Sequence, residues 1–275
     1  MRKIGLWMLL ALGCLTACSD KGEKAAAMHL QKAEVALQQE NFSEAKLQID
    51  TIKLLYPKAF EVRKKGIKLM QQIDLKEQQR NLAYLDSTMQ VKQLQLDSIR
   101  SEFVLEKDTA YQEIGNYFHP SQVVEKNLSR CFLRAQVSEQ GVMTLTSIYH
   151  GGHNLHHVAV KVSVGDSFAE TPSSKDSYES SQLGQKTEKA DYLLGEDGGV
   201  IDFIVTNADK NIKVQFLGDK NYRTTMQSND KKAFVAVRHL ATILSSMEQI
   251  RKEQKEAELK INFVTRKIEE KKSAE

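Results

Sequence analysis

Residues 240–268 read LATILSSMEQIRKEQKEAELKINFVTRKI, and the expected architecture of the chain follows from the pattern in these residues. Its apolar side chains recur in steps of three and four, with Gln254 as the only polar break. This spacing places one apolar stripe along one face of a helix. Asn229 or Asp230 is suited to cap the helix, so the sequence predicts a helix over residues 230–275. The stripe consists of Leu240, Ile243, Met247, Ile250, Ala257, Ile261, Val264 and Ile268.

A second apolar stripe lies in the N-terminal half, where helix-forming residues predict one long helix from Phe60 to Tyr111 within a segment at 59–118. Both stripes are interrupted by polar residues, so neither alone specifies a free dimer. Two imperfect stripes that flank a middle domain predict an antiparallel pair within one chain, and a homodimeric coiled coil is the alternative. The residues that recur every seven positions are Leu75, Leu82, Met89, Leu96 and Phe103.

Residues 119–229 change character and predict a β domain inserted between the two helices. Nine of the 14 glycines fall between Gly141 and Gly218, which suits short turns. The segment 158–164 alternates valine with other residues, as a strand with one buried face does. The expected fold class is therefore α+β, with six to eight strands in an antiparallel β-sandwich. Within this domain, 200–206 is predicted to be a strand and the polar segment 169–186 a long loop.

The first 18 residues have the pattern of an export signal. Arg2 and Lys3 precede an apolar run of signal-peptide length, which ends in Leu15-Thr16-Ala17-Cys18. This ending resembles the lipobox of bacterial lipoproteins. The resemblance implies a signal peptide at 1–17, lipidation of Cys18 and a lipidated tether at 18–24. A plain secretory signal and a short buried helix are the alternatives.

Residues 25–58 predict a helical hairpin. Ser43 is suited to cap its second helix, and Tyr56-Pro57 ends that helix. The length, the small residues Ala33 and Ala45 and the closing proline resemble one tetratricopeptide-type repeat, and a generic hairpin is the alternative. Because a single repeat buries its own apolar face poorly, this hairpin is expected to pack on the next helix or on a partner.

Four of the seven histidines lie within residues 150–157. Imidazole is a good ligand for transition metals, so His150, His153 and His157 are candidate metal ligands. Neighbouring strand residues point to opposite faces, so His156 and His157 are not expected to serve one site together. Glycines in the segment and the lack of a nearby carboxylate in the sequence favour an ordinary turn, and no bound zinc is expected.

No nucleotide-binding loop, hydrolase elbow or zinc-protease motif occurs, so no cofactor and no enzymatic activity are expected. A formal net charge of +3 over 275 residues does not favour nucleic acid as a partner. Four tyrosines of the β domain are candidate ligand-stacking residues, namely Tyr149, Tyr178, Tyr192 and Tyr222.

These features together predict a bacterial envelope lipoprotein, held by its N-terminal acyl anchor in the outer membrane rather than the inner membrane. It is expected to present a β-sandwich head on a helical stalk, as a binding or scaffold module for a protein partner in the envelope. A glycan-binding head is the alternative, and a metal-dependent enzyme centred on the histidines is a third hypothesis.

Overall fold

The computed structural model describes the backbone of residues 14–273 and the side chains of residues 21–270. The chain divides into two compact units, one of residues 1–87 and 252–275 and one of residues 88–251. The signal peptide at 1–17 lies almost wholly outside the described residues, as does the side chain of Cys18, and both assignments stay predictions. Within residues 14–273, no helix has a stretch that is both long enough and apolar enough to cross a bilayer.

The α+β class and the antiparallel helix pair are confirmed. Helix α3 spans Phe60–Ile99 and helix α5 spans Ser228–Ser273, and they pack antiparallel with β-sheets inserted between them in the sequence. In the first unit Leu85 and Ala257 are buried. Gln254, the polar break in the stripe, donates from Nε2 to Asp86 Oδ1 at 2.7 Å. The break therefore has a polar partner across the helix pair.

The first unit begins with a helical hairpin formed by α1 (Cys14–Gln38) and α2 (Phe42–Leu55). Residues 18–24 belong to α1, so this segment is helical, and its role as a lipidated tether stays a prediction. The N-cap of α2 is Asn41, whose side chain accepts from Glu44 N at 3.2 Å, and not Ser43. The hairpin packs on α3 through one apolar cluster, which includes Ala33, Ala45, Ile49, Ile52, Val62, Leu69 and Ile73.

In the second unit α3 ends at Ile99 and not at Tyr111. A 3-10 turn at Arg100–Glu102 follows, and Phe103 then takes an extended conformation with φ −120° and ψ 152°. Phe103 is buried in the core, and the next residues form strand β1 (Val104–Glu106), antiparallel to β2 (Asn116–Phe118). Core packing of Phe103 and sheet pairing thus outweigh the helix-favouring composition of this segment.

Two antiparallel sheets and α4 (Val200–Thr206) complete the second unit. Their inner faces share one core with α5, in which Leu145, Val160, Phe216 and Phe234 are buried. The remaining strands are β3 Phe132–Ser138, β4 Met143–Gly151, β5 Ala159–Val164, β6 Ser167–Glu170, β7 Asp176–Gln182, β8 Gln185–Leu193, β9 Lys213–Leu217 and β10 Tyr222–Thr225. The larger sheet has the order β1-β2-β3-β4-β8-β7 and the smaller one the order β10-β9-β5-β6.

The strand predicted at 200–206 is wrong, because this segment is helix α4. Asp197 sets its start: its carboxylate accepts from Gly195 N at 3.1 Å and from Ile201 N at 2.6 Å. Gly199 supplies the left-handed N-cap conformation, with φ +80°. A short apolar run rich in β-branched residues does not distinguish a buried strand from a buried helix.

The loop predicted at 169–186 is also wrong, because it contains β7 and the start of β8. The two strands are joined by Leu183 and Gly184, both with positive φ, at 51° and 78°. Positive φ at both central residues is the pattern of a type I′ hairpin turn. Most side chains of β7 are exposed, so the strand lacks the apolar alternation on which a prediction from sequence depends.

Candidate functional site

The histidine-rich segment is organised around a buried carboxylate that the sequence analysis missed. Glu188 on β8 is 2% exposed and lies beside His157, which is also buried. Glu188 Oε1 accepts from the backbone N–H groups of Leu155 at 2.6 Å and His156 at 3.0 Å. Its Oε2 lies 3.0 Å from His157 N and 2.9 Å from His157 Nδ1. One side chain therefore holds three consecutive residues of the β4–β5 connection.

Burial by itself would raise the pKa of Glu188, but these hydrogen bonds outweigh it. The pKa of the carboxyl therefore lies below its usual range. For His157, burial is the largest effect and lowers the pKa below its usual value despite the nearby carboxylate. The favoured pair is therefore a neutral imidazole beside an ionised carboxylate. A neutral ring that donates a hydrogen bond from Nδ1–H to Glu188 has Nε2 free to accept a hydrogen bond.

Ser147 Oγ lies 2.8 Å from His157 Nε2, so Ser147, His157 and Glu188 have the connectivity of a Ser-His-Glu catalytic triad. A nucleophile must reach its substrate, however, and Ser147 has no exposed surface. Its hydroxyl also lies 3.2 Å from the carbonyl oxygen of Ala190 within the sheet. This arrangement is suited to stabilising the core and not to attacking a substrate.

The structure does not combine the three predicted metal ligands into one site. Both ring nitrogens of His157 are engaged, and His150 Nδ1 lies 3.1 Å from Thr187 Oγ1. His153 is exposed. The three are therefore in different surroundings, and His157 has no nitrogen left for a metal ion.

Within the described side chains, a different group has metal-ligand spacing. The ligand atoms of His156, Glu179 and Glu188 lie within 4.8 Å of one another. Glu188 already accepts four hydrogen bonds, about the capacity of a carboxylate. His156 Nδ1 lies 2.8 Å from Glu179 Oε1, and Asn154 donates to Glu179 Oε2 at 2.9 Å. These bonds use the same atoms that a metal would need, and the group is better explained as a set of hydrogen bonds that orders residues 154–157.

The four candidate tyrosines separate into two classes. Tyr149 and Tyr192 are core residues: Tyr149 packs against Phe216, and the Tyr192 hydroxyl donates to the carbonyl oxygen of Val158 at 2.9 Å. Tyr178 is 59% exposed and Tyr222 is 36% exposed. Two of the four rings are thus withdrawn from any surface ligand.

The outer face of the four-stranded sheet carries a cleft of about 410 Å³ that the sequence analysis did not identify. Alternate residues of β5 and β9, such as Val162 and Val214, enter the core, so their neighbours in the sequence point outward. Strand register places two rows of side chains on the outer face, Lys161-Gln215-Arg223 and Ser163-Lys213-Thr225.

This cleft is cationic. Lys161 Nζ lies 3.6 Å from Glu170 Oε2, and it also lies 3.6 Å from the centroid of the Phe168 ring. Lys213 and Arg223 are exposed, and neither forms a hydrogen bond or ion pair through its side chain with any residue that the structure describes. Three cations against one carboxylate favour an anionic ligand. The three cations lie on three separate strands, so only the correct strand register shows that they share one cleft.

Comparison with protein-family models, with curated proteins and with solved structures finds no match for this chain.

Proposed function

We propose that this protein is an envelope lipoprotein, anchored through Cys18, whose second unit is a binding module for an anionic ligand. The observation that carries the proposal is the open outer face of the four-stranded sheet, on which Lys161, Lys213 and Arg223 surround one cleft. Arginine and lysine bind carboxylates and phosphates through charge-assisted hydrogen bonds. The neighbouring hydroxyl and amide groups are suited to orient such a ligand.

The burial of Ser147, His157 and Glu188 favours a binding role over catalysis. The chemically most reactive arrangement among the described residues is enclosed in the core, whereas the charged cleft is open to solvent. An open sheet face suits a ligand that is larger than the cleft itself, such as a charged polymer.

An acidic glycan is the second candidate, and Phe168 is the observation that favours it. This ring is 57% exposed and lies beside Lys161. An aromatic face next to a cation offers apolar contact to a sugar ring and charge to its carboxylate. Neutral glycans gain little from the remaining cations of the cleft.

The test measures binding of fluorescently labelled polyglutamate, polygalacturonate, polyphosphate and neutral dextran to the chain from residue 19 onward. We expect an anionic polymer to bind and dextran not to bind. The double variant Lys213→Gln/Arg223→Gln should weaken binding at least tenfold, since a hydrogen bond to a charged group contributes about 1.5–3 kcal/mol. Binding should also weaken as salt is added, because salt screens exposed charges.

The matched control is Lys255→Gln/Lys260→Gln, which removes the same number of exposed charges from the first unit. Equal losses in the two double variants would show that only net charge matters and would refute a specific site. Binding of dextran as tight as that of polygalacturonate would favour a neutral-glycan site instead.

A further inference from the structure

We propose that the turn between α2 and α3 docks on an anionic lipid bilayer and provides a second membrane contact beside the acyl anchor. This surface, here named the α2–α3 tip, consists of residues 53–64. The inference rests on the anchoring part of the proposed function and concerns a different surface from the cationic cleft.

The α2–α3 tip exposes large apolar side chains. Leu54 is 75% exposed, Leu55 is 66% exposed and Phe60 is 70% exposed. All three lie within seven consecutive residues, at the end of α2 and the start of α3. Exposed apolar residues scattered singly are common, but a group of this size in one turn is typical of an interaction surface.

The same residues carry a strong positive charge. Residues 53–64 contain four basic residues and only one acidic residue, Glu61. The basic residues are Lys53, Lys58, Arg63 and Lys64. The three lysines are exposed, and Arg63 Nη1 donates to the carbonyl oxygen of Pro57 at 2.8 Å. Lysine side chains can bury their apolar stems while the ammonium groups stay in water at the headgroups. Apolar residues flanked by lysines are the composition of an interfacial membrane contact.

The position of the α2–α3 tip in the first unit supports a membrane over a protein as its partner. His29 on α1 packs against Tyr56, with ring centroids 5.7 Å apart, and its Nδ1 lies 2.6 Å from Gln48 Oε1. The tip therefore lies beside the middle of α1. Cys18 precedes His29 by 11 residues, or roughly 16 Å along a helix. An acyl chain at Cys18 would thus keep the bilayer close to this surface.

The experiment uses the chain from residue 19 onward, which has no acyl chain and retains the described side chains of both units. Its co-sedimentation is measured with vesicles of phosphatidylcholine mixed with phosphatidylglycerol and with vesicles of phosphatidylcholine alone. We expect binding to the anionic vesicles and at least tenfold weaker binding to the neutral ones. Lys58→Gln/Lys64→Gln should reduce the partition coefficient about 25-fold, since each cation near an anionic surface contributes about fivefold.

A second variant, Leu54→Ser/Phe60→Ser, should reduce the partition coefficient at least tenfold. Its matched control is Leu94→Ser/Leu259→Ser, which removes two other exposed apolar side chains and should bind like the parent. The control for charge is Lys255→Gln/Lys260→Gln, which removes two exposed cations of the first unit that lie outside both the α2–α3 tip and the cationic cleft. Far-ultraviolet circular dichroism confirms that each variant is folded, and the charge variant alters only exposed side chains.

Absence of binding to anionic vesicles, equal binding to both kinds of vesicle, or equal losses in the variants and their controls would overturn the inference. These outcomes would not contradict the predicted lipidation of Cys18, because processing at Cys18 is measured separately in cells. Conversely, a chain that binds vesicles through the tip but is never lipidated would refute the anchor and retain the docking surface.

Discussion

Replacement of Glu188 by glutamine tests whether this carboxylate holds the histidine-rich segment. The change preserves shape but replaces one oxygen by an NH₂ group, which meets donors in either orientation. At the place of Oε1 it faces the N–H groups of Leu155 and His156. If the NH₂ group replaces Oε2, it meets His157 N and His157 Nδ1. The ring nitrogen can become an acceptor by a change of tautomer, but the backbone N–H of His157 cannot.

At least one buried backbone N–H therefore loses its acceptor in Glu188→Gln, which costs about 1–3 kcal/mol. The remaining bonds also weaken, because charge-assisted hydrogen bonds are about twice as strong as neutral ones. Relief from burying a charge offsets part of this loss. We expect the free energy of unfolding of the second unit to fall by about 2–4 kcal/mol.

Urea unfolding provides the measurement. Trp7 lies in the expected signal peptide, so the signal is the near-ultraviolet circular dichroism of the buried tyrosines, among them Tyr149 and Tyr192. Hydrogen exchange of residues 155–157 gives the local readout and should accelerate in Glu188→Gln. The control Glu196→Gln alters an exposed carboxylate elsewhere in the second unit and should change stability by no more than about 0.5 kcal/mol. Equal urea midpoints for Glu188→Gln and the parent would refute the structural role assigned to Glu188.

Three further outcomes are expected. Burial lowers the pKa of His157 in the folded protein, so as the pH falls the unfolded chain takes up a proton on this histidine before the folded chain does. The contribution of neutral His157 to stability should therefore be complete above about pH 6.5 and decrease at lower pH. Urea midpoints measured across this range should fall less steeply in His157→Gln than in the parent. Gly141→Ala should destabilise the second unit strongly in thermal unfolding, because a Cβ at this position would lie 2.1 Å from Ser245 N. Gly165→Ala is the control: this residue also has positive φ but faces open space, so the change should lower the free energy of unfolding by only about 1–2 kcal/mol. Cys18→Ala should leave uncleaved, unlipidated precursor by mass spectrometry, and normal processing would contradict the lipoprotein assignment.

The helix pair and the inserted β domain could be predicted because their signals are long. The stripe over 240–268 extends through several helical turns, so single polar breaks such as Gln254 did not hide it. Short elements were less predictable. The 200–206 helix depends on Gly199 and on an aspartate that accepts backbone hydrogen bonds, and the exposed strand at 176–182 has no apolar periodicity.

The candidate sites were predictable in part only. The concentration of histidines pointed to residues 150–157, but their role is set by Glu188, which is distant in sequence and opposite Tyr149 in the sheet. The cationic cleft depends in the same way on register, which brings Lys161, Lys213 and Arg223 together from three strands. Composition alone does not contain this pairing. The apolar residues of the α2–α3 tip were visible in the sequence, but their exposure was not.

The discontinuity of the first unit determines the order in which the chain can fold. Residues 88–251 are contiguous, whereas the first unit includes residues 252–275, which are synthesised only after the whole of the second unit. Bringing Gln254 to Asp86 across 168 positions of flexible chain has a length-dependent entropic cost of about 4–5 kcal/mol. A second unit that has already folded removes most of this cost, because its own α3 and α5 segments already lie side by side. Folding of the inserted β-sheets is thus the step that brings the end of α5 back to α3, whereas the apolar cluster of α1, α2 and α3 is formed by residues 26–73 alone.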